Sequence, residues 1–432
     1  MINNVELLES GELLTETEKK LFKMLLTIAE NCHPTTEIRI AGGWVRDKVL
    51  NKNPYDIDLM IHPTPIKKYA LKFKERYNDK ILSMKGSGLH EKVGDSNISL
   101  ITIVFKDGCA IDLVNSKYKF TIDPILSDAS SRDLSINAMF FNINLMKVED
   151  YIGGMKDLEN KIVRPPRDPF IAYGENQIHV VRLARFAARF GYNYPDNVRN
   201  AARLSVNDSK NKLVSSIVFM EVQKAFMGPD PLRFIEILFD FHYFDLVFGD
   251  YMWNKEDILR KVKLSVERAP EKKQKELIAN TLVFYLLEKG TALTHQHMNK
   301  IMCGCTNKQI ASSALQIKTL INNLNRVSVG NWIIKCGEEW KLSFELLEDE
   351  EIYQFAHHIL LSYIISSNLE EAYKIKPLVN GKELMTMCKK NSGKWIKNSF
   401  EKIINLQLEH PNISKDIIID YIKANISLFE ES

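Results

Sequence analysis

The sequence lacks several features that mark common classes of protein. It contains no run of about eighteen apolar residues, so it predicts no transmembrane helix. Its six cysteines form no Cys-x-x-Cys pair, which argues against structural zinc and favours a reducing compartment. Cys303-Gly304-Cys305 could be a metal or redox pair, but two free thiols are the simpler interpretation. The N-terminal stretch MINNVELLESGELLTETEKK has no arginine and no apolar core, so we expect no targeting segment and a cytoplasmic, possibly also nuclear, protein.

A strong net charge is also missing. The chain of 432 residues carries a formal charge of only +3, which argues against a uniformly basic protein but allows a basic groove on one face. A hydrophobic content of 45% and a charged content of 26% are ordinary for a folded protein. The length is enough for roughly two to four packed units.

The most informative stretch is residues 38–61, IRIAGGWVRDKVLNKNPYDIDLMI. The apolar run Ile38–Ala41 predicts a strand, and Gly42-Gly43 interrupts it. Trp44–Leu50 predicts a short helix, and after a turn Tyr55–Ile61 predicts a second strand. The stretch therefore has the order strand, Gly-Gly turn, helix, turn, strand.

The second strand carries two acids at a spacing that indicates a metal site. Asp56 and Asp58 are two residues apart, so both point to one face of a strand. Two carboxylates this close repel each other unless a cation lies between them, and oxygen ligands suit Mg²⁺. Gly42-Gly43 exposes backbone N–H groups at a helix start, where phosphate binds well, and Arg46 follows on that helix. Either feature alone is usually structural, but the combination favours phosphoryl or nucleotidyl transfer.

A third acid is a candidate for the same site. Ile98–Phe105 and Ala110–Val114 predict two strands joined by a tight turn. Asp112 lies on the second of them, between Ile111 and Leu113. If this strand pairs with the strand of Asp56 and Asp58, Asp112 joins the carboxylates, and otherwise it is a solvent-facing strand acid.

These motifs resemble those of a known family. GGWVRD followed by DID resembles the first motif of the nucleotidyltransferase superfamily, and the chain is most similar to class II tRNA nucleotidyltransferases, the CCA-adding enzymes of eukaryotic type, which share their head with bacterial poly(A) polymerases. Residues 129–143 resemble the second motif, RRDxxxNA, through Arg132, Asp133 and Asn137, with Ser131 in place of the first arginine. The resemblance implies that this stretch contacts the triphosphate and the ribose. Residues 148–164 resemble the family's third, hinge-like motif.

The resemblance is weaker in the helix that selects the nucleotide. Asn176 and His179 stand where the family has aspartate and arginine, while Arg182 and Arg185 are retained, and the four positions are predicted to line one helix face. In the family the aspartate accepts the amino proton of cytosine or adenine and the arginine donates to the ring nitrogen. Asparagine and neutral histidine can each donate and accept. The pair is therefore predicted to bind C and A without rejecting U and G.

Two further departures from the family's pattern point the same way. The basic residue that follows the third-carboxylate strand in the family is Lys117 here. The helix that braces the selecting helix carries Arg-Glu-Arg in the family, and Ser215-Ser216-Ile217 stands there in this chain. The metal site is thus predicted to be intact and the nucleotide-selecting region to have diverged.

The C-terminal stretch 378–400 resembles the family's tail element. Four lysines surround Trp395, and interleaved cations and an aromatic ring suit an RNA backbone. A solvated helix face is the alternative. These candidate RNA-binding residues are Lys389, Lys390, Lys394 and Lys397.

Together the motifs and the resemblance imply an α+β fold with a mixed β-sheet. The predicted nucleotidyltransferase head spans residues 1–140, a helical neck 141–235, and a helical, tRNA-binding body and tail 236–432. The implied reaction adds CMP and AMP, from CTP and ATP, to tRNA 3′ ends without a template, with two Mg²⁺ held by Asp56 and Asp58. Alternatives are CC-only, A-only or poly(A) addition, use of UTP and GTP, or a non-catalytic RNA-binding relative. The triphosphate would bind Gly42, Gly43, Arg46 and Arg132.

Overall fold

A computed structural model describes residues 2–54, 56–86, 100–114, 123–209, 213–270, 272–292, 301 and 309–430. The chain divides into two compact units, one up to Leu246 and one from Val247 onward. Across the described residues, no helix is long and apolar enough to cross a membrane.

The first unit is built on a mixed sheet of seven strands in the order β3-β4-β5-β2-β1-β6-β7. β2 and β5 pair in parallel, and the other neighbouring strands pair antiparallel. The parallel pair therefore lies in the interior of the sheet, where both strands have neighbours on either side. The strands are β1 Glu37–Ala41, β2 Ile57–His62, β3 Ile81–Lys85, β4 Leu100–Phe105, β5 Ala110–Val114, β6 Phe140–Asn142 and β7 Lys147–Glu149.

The helices of this unit connect and follow the strands. A short 3₁₀ turn, Ser135–Asn137, precedes β6. The helices are α1 Ile2–Glu9, α2 Glu16–Cys32, α3 Gly43–Val49, α4 Ile66–Tyr77, α5 Pro124–Ser131, α6 Gly154–Glu159, α7 Pro169–Glu175, α8 Ile178–Phe190, α9 Asp196–Ser209, α10 Ser215–Phe226, α11 Pro231–Asp240 and α12 Phe244–Phe248.

Buried contacts fix α3, the helix after the Gly-Gly turn, against α2 and the sheet. The Trp44 ring lies 5.6 Å from that of Phe141 and 6.1 Å from that of Phe22. Lys48 is almost fully buried, and its ammonium group lies 2.8 Å from the Glu18 carboxylate. Glu18 also accepts a hydrogen bond of 3.0 Å from the Trp44 indole. Because an unpaired buried charge is expensive, this network holds α3 in one position.

The second unit is helical throughout its described part. A buried apolar cluster that includes Trp395 forms the core of its C-terminal portion. Short 3₁₀ and π segments, Trp340–Leu346, Phe355–Leu360 and Ala372–Lys374, interrupt the helices. The α-helices are Lys255–Arg268, Gln274–Glu288, Ile310–Ile321, Arg326–Cys336, Glu350–Gln354, Leu361–Ser366, Gly381–Cys388, Trp395–Glu409, Lys415–Ala424 and Ile426–Glu430.

The α+β class with a mixed sheet and a helical C-terminal region is confirmed. The structure adds three strands that the sequence pattern did not predict, namely β3, β6 and β7. β6 and β7 continue the head sheet past residue 140, where the helical neck was predicted to begin. β6 and β7 are only three residues long, so the alternation along the sequence is too short to reveal them.

Candidate active site

Three acidic residues lie on or just before two strands that pair in parallel, β2 and β5. The parallel register sets Asp58 of β2 opposite Asp112 of β5. Asp56 lies two residues before Asp58, just ahead of the strand, and both side chains are exposed, whereas Leu59 is buried. The structure thus brings the strand of Asp112 next to the strand of Asp58, which was the condition for a third carboxylate.

The electrostatics of Asp58 show that these charges act on one another. Although the residue is exposed, desolvation of its carboxyl raises its pKa, and the like charges of Asp112 and Asp56 raise it further. Arg132 acts in the opposite direction. The site therefore concentrates negative charge that one arginine only partly offsets.

This donor set fits Mg²⁺. Thr102 of β4 donates a hydrogen bond of 2.6 Å to Asp112, which fixes the orientation of that carboxylate. Within the described ranges, no three His, Cys, Asp or Glu side chains form a ready-made metal cage. Mg²⁺ is commonly held by one or two carboxylates and completed by substrate phosphates, so an open carboxylate pair is compatible with it. Asp56 and Asp58 stay the predicted ligands.

The Gly-Gly turn brings the backbone close to Arg132. Gly42 has φ +68°, in the left-handed region, and its N–H donates to the carbonyl of Met139 at 2.9 Å. A Cβ atom on Gly42 would lie 2.9 Å from Arg132 Nη1 and 3.0 Å from the carbonyl oxygen of Asn137. α3 then begins at Gly43 without a side-chain cap. Only glycine fits this position without displacing the arginine.

Arg132 is the cation whose charge acts on the Asp58 carboxyl. Its guanidinium donates to Asp128 at 2.8 and 3.1 Å and to the Asn137 carbonyl at 3.3 Å. It lies 5.0 Å from the centre of the Phe140 ring, and about a quarter of the side chain is exposed. These contacts orient it beside Gly42 while leaving part of it open to an anionic ligand.

Arg46 occupies a different environment. Its side chain is buried. The guanidinium donates two hydrogen bonds of 2.8 Å to the Asp47 carboxylate and a further hydrogen bond to the Asn137 side chain. The guanidinium also lies 5.3 Å from the Phe186 ring centre and 5.0 Å from that of Phe190. The structure thus places Arg46 as a link between α3, Asn137 and α8. Triphosphate binding by Arg46 stays a prediction.

The nucleotide-selecting segment differs from the predicted single helix. α7 ends at Glu175 and α8 begins at Ile178, so Asn176 lies in the break between them. The sequence predicted that residues 176, 179, 182 and 185 share one helix face. This prediction is wrong for Asn176, which lies before the helix begins. Asn176 is exposed, and its side-chain nitrogen lies 3.2 Å from His179 Nε2. Asn176 and His179 are thus brought together by a hydrogen bond.

A buried ionic network lies under this pair. Arg182 Nε is 2.9 Å from Asp133 and 3.9 Å from Glu221. Arg185 is buried, forms an ion pair with Glu221, and its guanidinium lies 4.0 Å from the Phe186 ring centre. Asp133 also accepts hydrogen bonds from the Leu134 N–H and the Asn137 side chain. The network connects α8 to α10 and to the stretch that contains Asp133.

The sequence analysis missed Glu221. It looked for a brace at Ser215-Ser216-Ile217, but Ser216 and Ile217 are exposed, and the Ser215 side chain lies outside the described residues. Glu221, further along α10, is buried against both arginines. The sequence did contain a signal for this role. Glu221 is the single charged residue in the segment SSIVFMEV, and an acid buried among apolar residues needs a cationic partner.

The tail lysines lie on the surface of the second unit. Lys389, Lys390, Lys394 and Lys397 are all exposed, around the turn between Gly381–Cys388 and Trp395–Glu409. Trp395 itself is buried in the apolar cluster, so its ring is not presented for stacking on a base. The Lys390 ammonium group lies 5.6 Å from the Trp395 ring centre, so a cation and the aromatic ring are adjacent, and RNA contact by the four lysines stays a prediction.

Several predictions concern residues that the structure does not describe. Tyr55, Lys117, Cys303 and Cys305 lie outside the described residues. Four cysteines within the described part, Cys32, Cys109, Cys336 and Cys388, form no disulfide with another described residue.

Comparisons with known proteins agree on one family. Residues 38–164 match the model of the poly A polymerase head domain. The chain is 24% identical to tRNA nucleotidyltransferase cca1 of Schizosaccharomyces pombe, with 95% of each protein covered. Its fold is similar to a CCA-adding enzyme solved with CTP, with a TM-score of 0.67, 18% identity and 98% of each chain covered. It is also similar to the Thermotoga maritima CCA-adding enzyme solved with tRNA, with a TM-score of 0.62, 19% identity and 98% of each chain covered.

The matched head domain contains Gly42, Asp58, Asp112 and Arg132, the residues that the fold brings together. The similarity extends over nearly the full length of both the curated relative and the solved structures. Residues 38–164 therefore form a poly A polymerase head domain, and the chain resembles the class II family of CCA-adding tRNA nucleotidyltransferases and poly(A) polymerase heads over nearly its full length.

Proposed function

We propose that this protein adds CMP and AMP, from CTP and ATP, to tRNA 3′ ends without a nucleic-acid template. The main support for the proposal is the register of β2 and β5, which sets Asp58 opposite Asp112. The charge of Arg132 acts on the Asp58 carboxylate as well. The names of the relatives, and of the similar structures solved with CTP and with tRNA, support these substrates.

The chain's own residues supply the binding and positioning for such a reaction. Asp56 and Asp58 would hold Mg²⁺, which when bound acidifies the RNA 3′-hydroxyl and neutralises the departing pyrophosphate. Arg132, partly exposed and oriented by Asp128, would bind triphosphate oxygens, since a planar guanidinium matches them. Gly42 allows the backbone of the turn to approach closely. Arg46 would act mainly through Asn137, which it contacts from a buried position.

The acids argue against a non-catalytic RNA-binding relative. Desolvation of the Asp58 carboxyl and its two acidic neighbours raise its pKa, so the ionised carboxylates destabilise the folded state when no cation is bound. A protein that only binds RNA gains nothing from this arrangement. Narrower activities, namely CC-only, A-only or poly(A) addition or use of UTP and GTP, depend on the nucleotide-selecting pair and stay alternatives.

RNA binding is proposed for the second unit. The four exposed tail lysines provide positive charge on the surface of a helical region. Contacts of this kind bind the phosphate backbone without sequence preference, which suits a protein that must accept many tRNAs.

One assay distinguishes these activities. The purified protein is incubated with tRNA that lacks its 3′-terminal CCA, with Mg²⁺ and with each labelled NTP separately, and then with CTP and ATP together. We expect CMP incorporation alone and AMP incorporation after CMP. Absence of incorporation from all four NTPs in the wild type would refute the proposal in favour of the non-catalytic reading. Long A tails, addition of C only, or addition of A only to tRNA ending in CC would each replace it with the corresponding narrower activity.

A further inference from the structure

The head contains a large cleft on the face of its sheet that lies opposite the acids. The cleft has a volume of about 840 Å³, and the described residues that line it belong to α2, the start of β2, the residues before β3 and the turn between β4 and β5. Ile57 and Phe105 line it from the sheet. Ile57 directly precedes Asp58 in β2, so the two side chains point to opposite faces. Clefts of about 300–1,000 Å³ bind small organic molecules, so this one is large enough for a ligand of its own.

One face of α2 forms a wall of the cleft. Thr17, Lys20, Leu21 and Met24 line it, and their spacing of three, four and seven residues places them on the same side of the helix. Leu21 and Met24 are only half-buried, whereas Phe22, on another face of the helix, is buried. A ligand with an apolar surface would cover the exposed part of these side chains, which is favourable.

Lysines give the cleft a positive rim. Lys20, Lys80 and Lys106 line it and are exposed, and none of them forms an ion pair with another described residue. They outnumber the two exposed acids of the lining. The third acid, Glu18, is buried and paired with Lys48. Because the rest of the lining is mainly apolar, a triphosphate with its several charges and polar sugar fits poorly, whereas an apolar body with a single negative group fits well.

We infer that this cleft binds a small amphipathic organic anion, that is, an apolar ring system or acyl chain that carries one anionic group. The apolar body would pack against Leu21, Met24, Ile57 and Phe105, and the anionic group would lie among the rim lysines. Burial of apolar surface would supply most of the affinity, and the lysines would select for negative charge.

The occupant would contact the segment that carries the acids. β2 pairs with β5 from Ile57 onward, but it pairs with β1 only from Leu59 onward. Ile57 therefore lies where β2 has a single neighbour among the described strands, and Pro54 lines the cleft just before it. A ligand packed against Pro54 and Ile57 would displace Asp56 and Asp58, and an error of about 1 Å in a reacting group can cost about a hundredfold in rate. Occupancy should therefore slow nucleotide addition, a consequence that rests on the proposed function.

The test uses two fluorescent probes that differ only in charge. Anilinonaphthalene sulfonate has an aromatic body and one sulfonate, and phenylnaphthylamine has the same rings without the sulfonate. Binding of each probe to the full-length protein is measured by titration of its fluorescence. We expect the anionic probe to bind, and saturating CTP with Mg²⁺ should not displace it, because the cleft is separate from the carboxylate site.

Variants on α2 locate the bound probe. Lys20→Glu reverses a charge on the rim, so it should weaken binding of the anionic probe by about fivefold or more and leave the neutral probe within about twofold. The matched control is Lys23→Glu, an exposed lysine of the same helix that does not line the cleft, and it should change neither affinity. Leu21→Trp adds bulk inside the cleft and should weaken binding of both probes.

Equal effects of Lys20→Glu and Lys23→Glu on the anionic probe would overturn the inference, because the rim would then not select charge. Unchanged binding in Leu21→Trp, or displacement of the probe by CTP, would also overturn it, since the probe would then lie elsewhere. Both lysines are exposed, so their comparison decides the question even if Leu21→Trp does not fold.

The effect on catalysis is measured in the same variants. The anionic probe at saturation should slow nucleotide addition by the wild type about fivefold or more, as expected for coupling between two sites, and should slow Leu21→Trp less at the same concentration. Equal slowing of both proteins would overturn the link between the cleft and the acids. Absence of incorporation from every NTP would instead refute the proposed function, whereas the fluorescence titrations would still decide whether the cleft binds its ligand.

Discussion

The carboxylate site of the head and the arginines of the neck use charged side chains in opposite ways. In the head, Asp56, Asp58 and Asp112 form no ion pair within the described part of the chain, and Arg132 opposes their charge without contacting Asp58 through a hydrogen bond. In the neck, Glu221 is paired with Arg185 and Asp133 with Arg182. The carboxylate site therefore leaves negative charge for a cation to neutralise, whereas these neck residues neutralise one another.

This difference explains which substitutions each region tolerates. A metal site needs full negative charge, so replacing an acid by a neutral residue removes its chemistry. Selecting a base requires only the correct order of donor and acceptor, which neutral groups also provide when they are held in place. Under the proposed function, Asn176 and His179 would contact the base without a charged pair, provided that the ion pairs of Arg182 and Arg185 keep their geometry.

The largest expected effect comes from removing charge in the head. Asp58→Asn should lower the rate of nucleotide addition by about a thousandfold or more, because groups that act together at a reaction centre lose most of the rate when one is removed. tRNA binding should remain largely intact, since the exposed tail lysines are in the second unit. Single-turnover incorporation and a filter-binding measurement at one salt concentration check the two parts.

The matched control is Asp107→Asn, which changes an exposed acid in the turn between β4 and β5. Its rate should stay within about twofold of the wild type, as expected for a surface substitution away from the site. If Asp58→Asn retained wild-type activity, the carboxylates would not hold the catalytic ion, and the contrast between head and neck would fail.

The carboxylate site could be predicted largely from local sequence. Asp56 and Asp58 stand out because the two-residue period places both on one face. Asp112 could only be a conditional candidate, because its position depends on β5 pairing with β2, more than fifty residues away in the sequence. Alternation indicates the face of a strand but not its neighbour in the sheet.

The neck was less predictable because its important contacts join separate helices. Glu221 contacts Arg182 and Arg185 only when α8 packs against α10, and no spacing along the chain indicates that packing. The break before α8 was also missed, because the Asn176-Gln177 pair contains no glycine or proline to mark it. The hydrogen bond between Asn176 and His179 follows from that break.

The second prediction concerns the ion pair between Arg185 and Glu221 in the neck. Glu221→Ala leaves Arg185 buried without its partner, and breaking such a pair costs about 3–5 kcal/mol. Urea unfolding of the variant should show this loss in the free energy of unfolding. Asp196→Ala, which breaks an exposed ion pair with Arg199, is the control and should change it by less than about 1 kcal/mol. Equal losses would mean that the neck is not held together by its buried charges.

The smallest expected effect compares two glycines with the same positive φ and different ψ. Gly191, at the end of α8, has φ +67° and ψ +28°, a left-handed helical conformation in which alanine costs about 1–2 kcal/mol. A Cβ there meets no atom within 4 Å. Gly42 has φ +68° and ψ −112°, outside the regions that L-residues normally adopt, and a Cβ there would lie 2.9 Å from Arg132 Nη1. Gly42→Ala therefore carries more backbone strain and must also move the arginine.

Gly42→Ala should therefore lose more stability than Gly191→Ala in urea unfolding. In nucleotide addition, Gly191→Ala should resemble the wild type, and Gly42→Ala should raise KM for the NTP by about tenfold, as expected for loss of one charged hydrogen bond to the triphosphate. If the two variants had equal KM values, the close approach of the Gly42 backbone to Arg132 would have no part in binding the triphosphate. NTP binding in the head would then not depend on the Gly-Gly turn. The carboxylate site of the head would differ from the paired charges of the neck even more than the present geometry indicates.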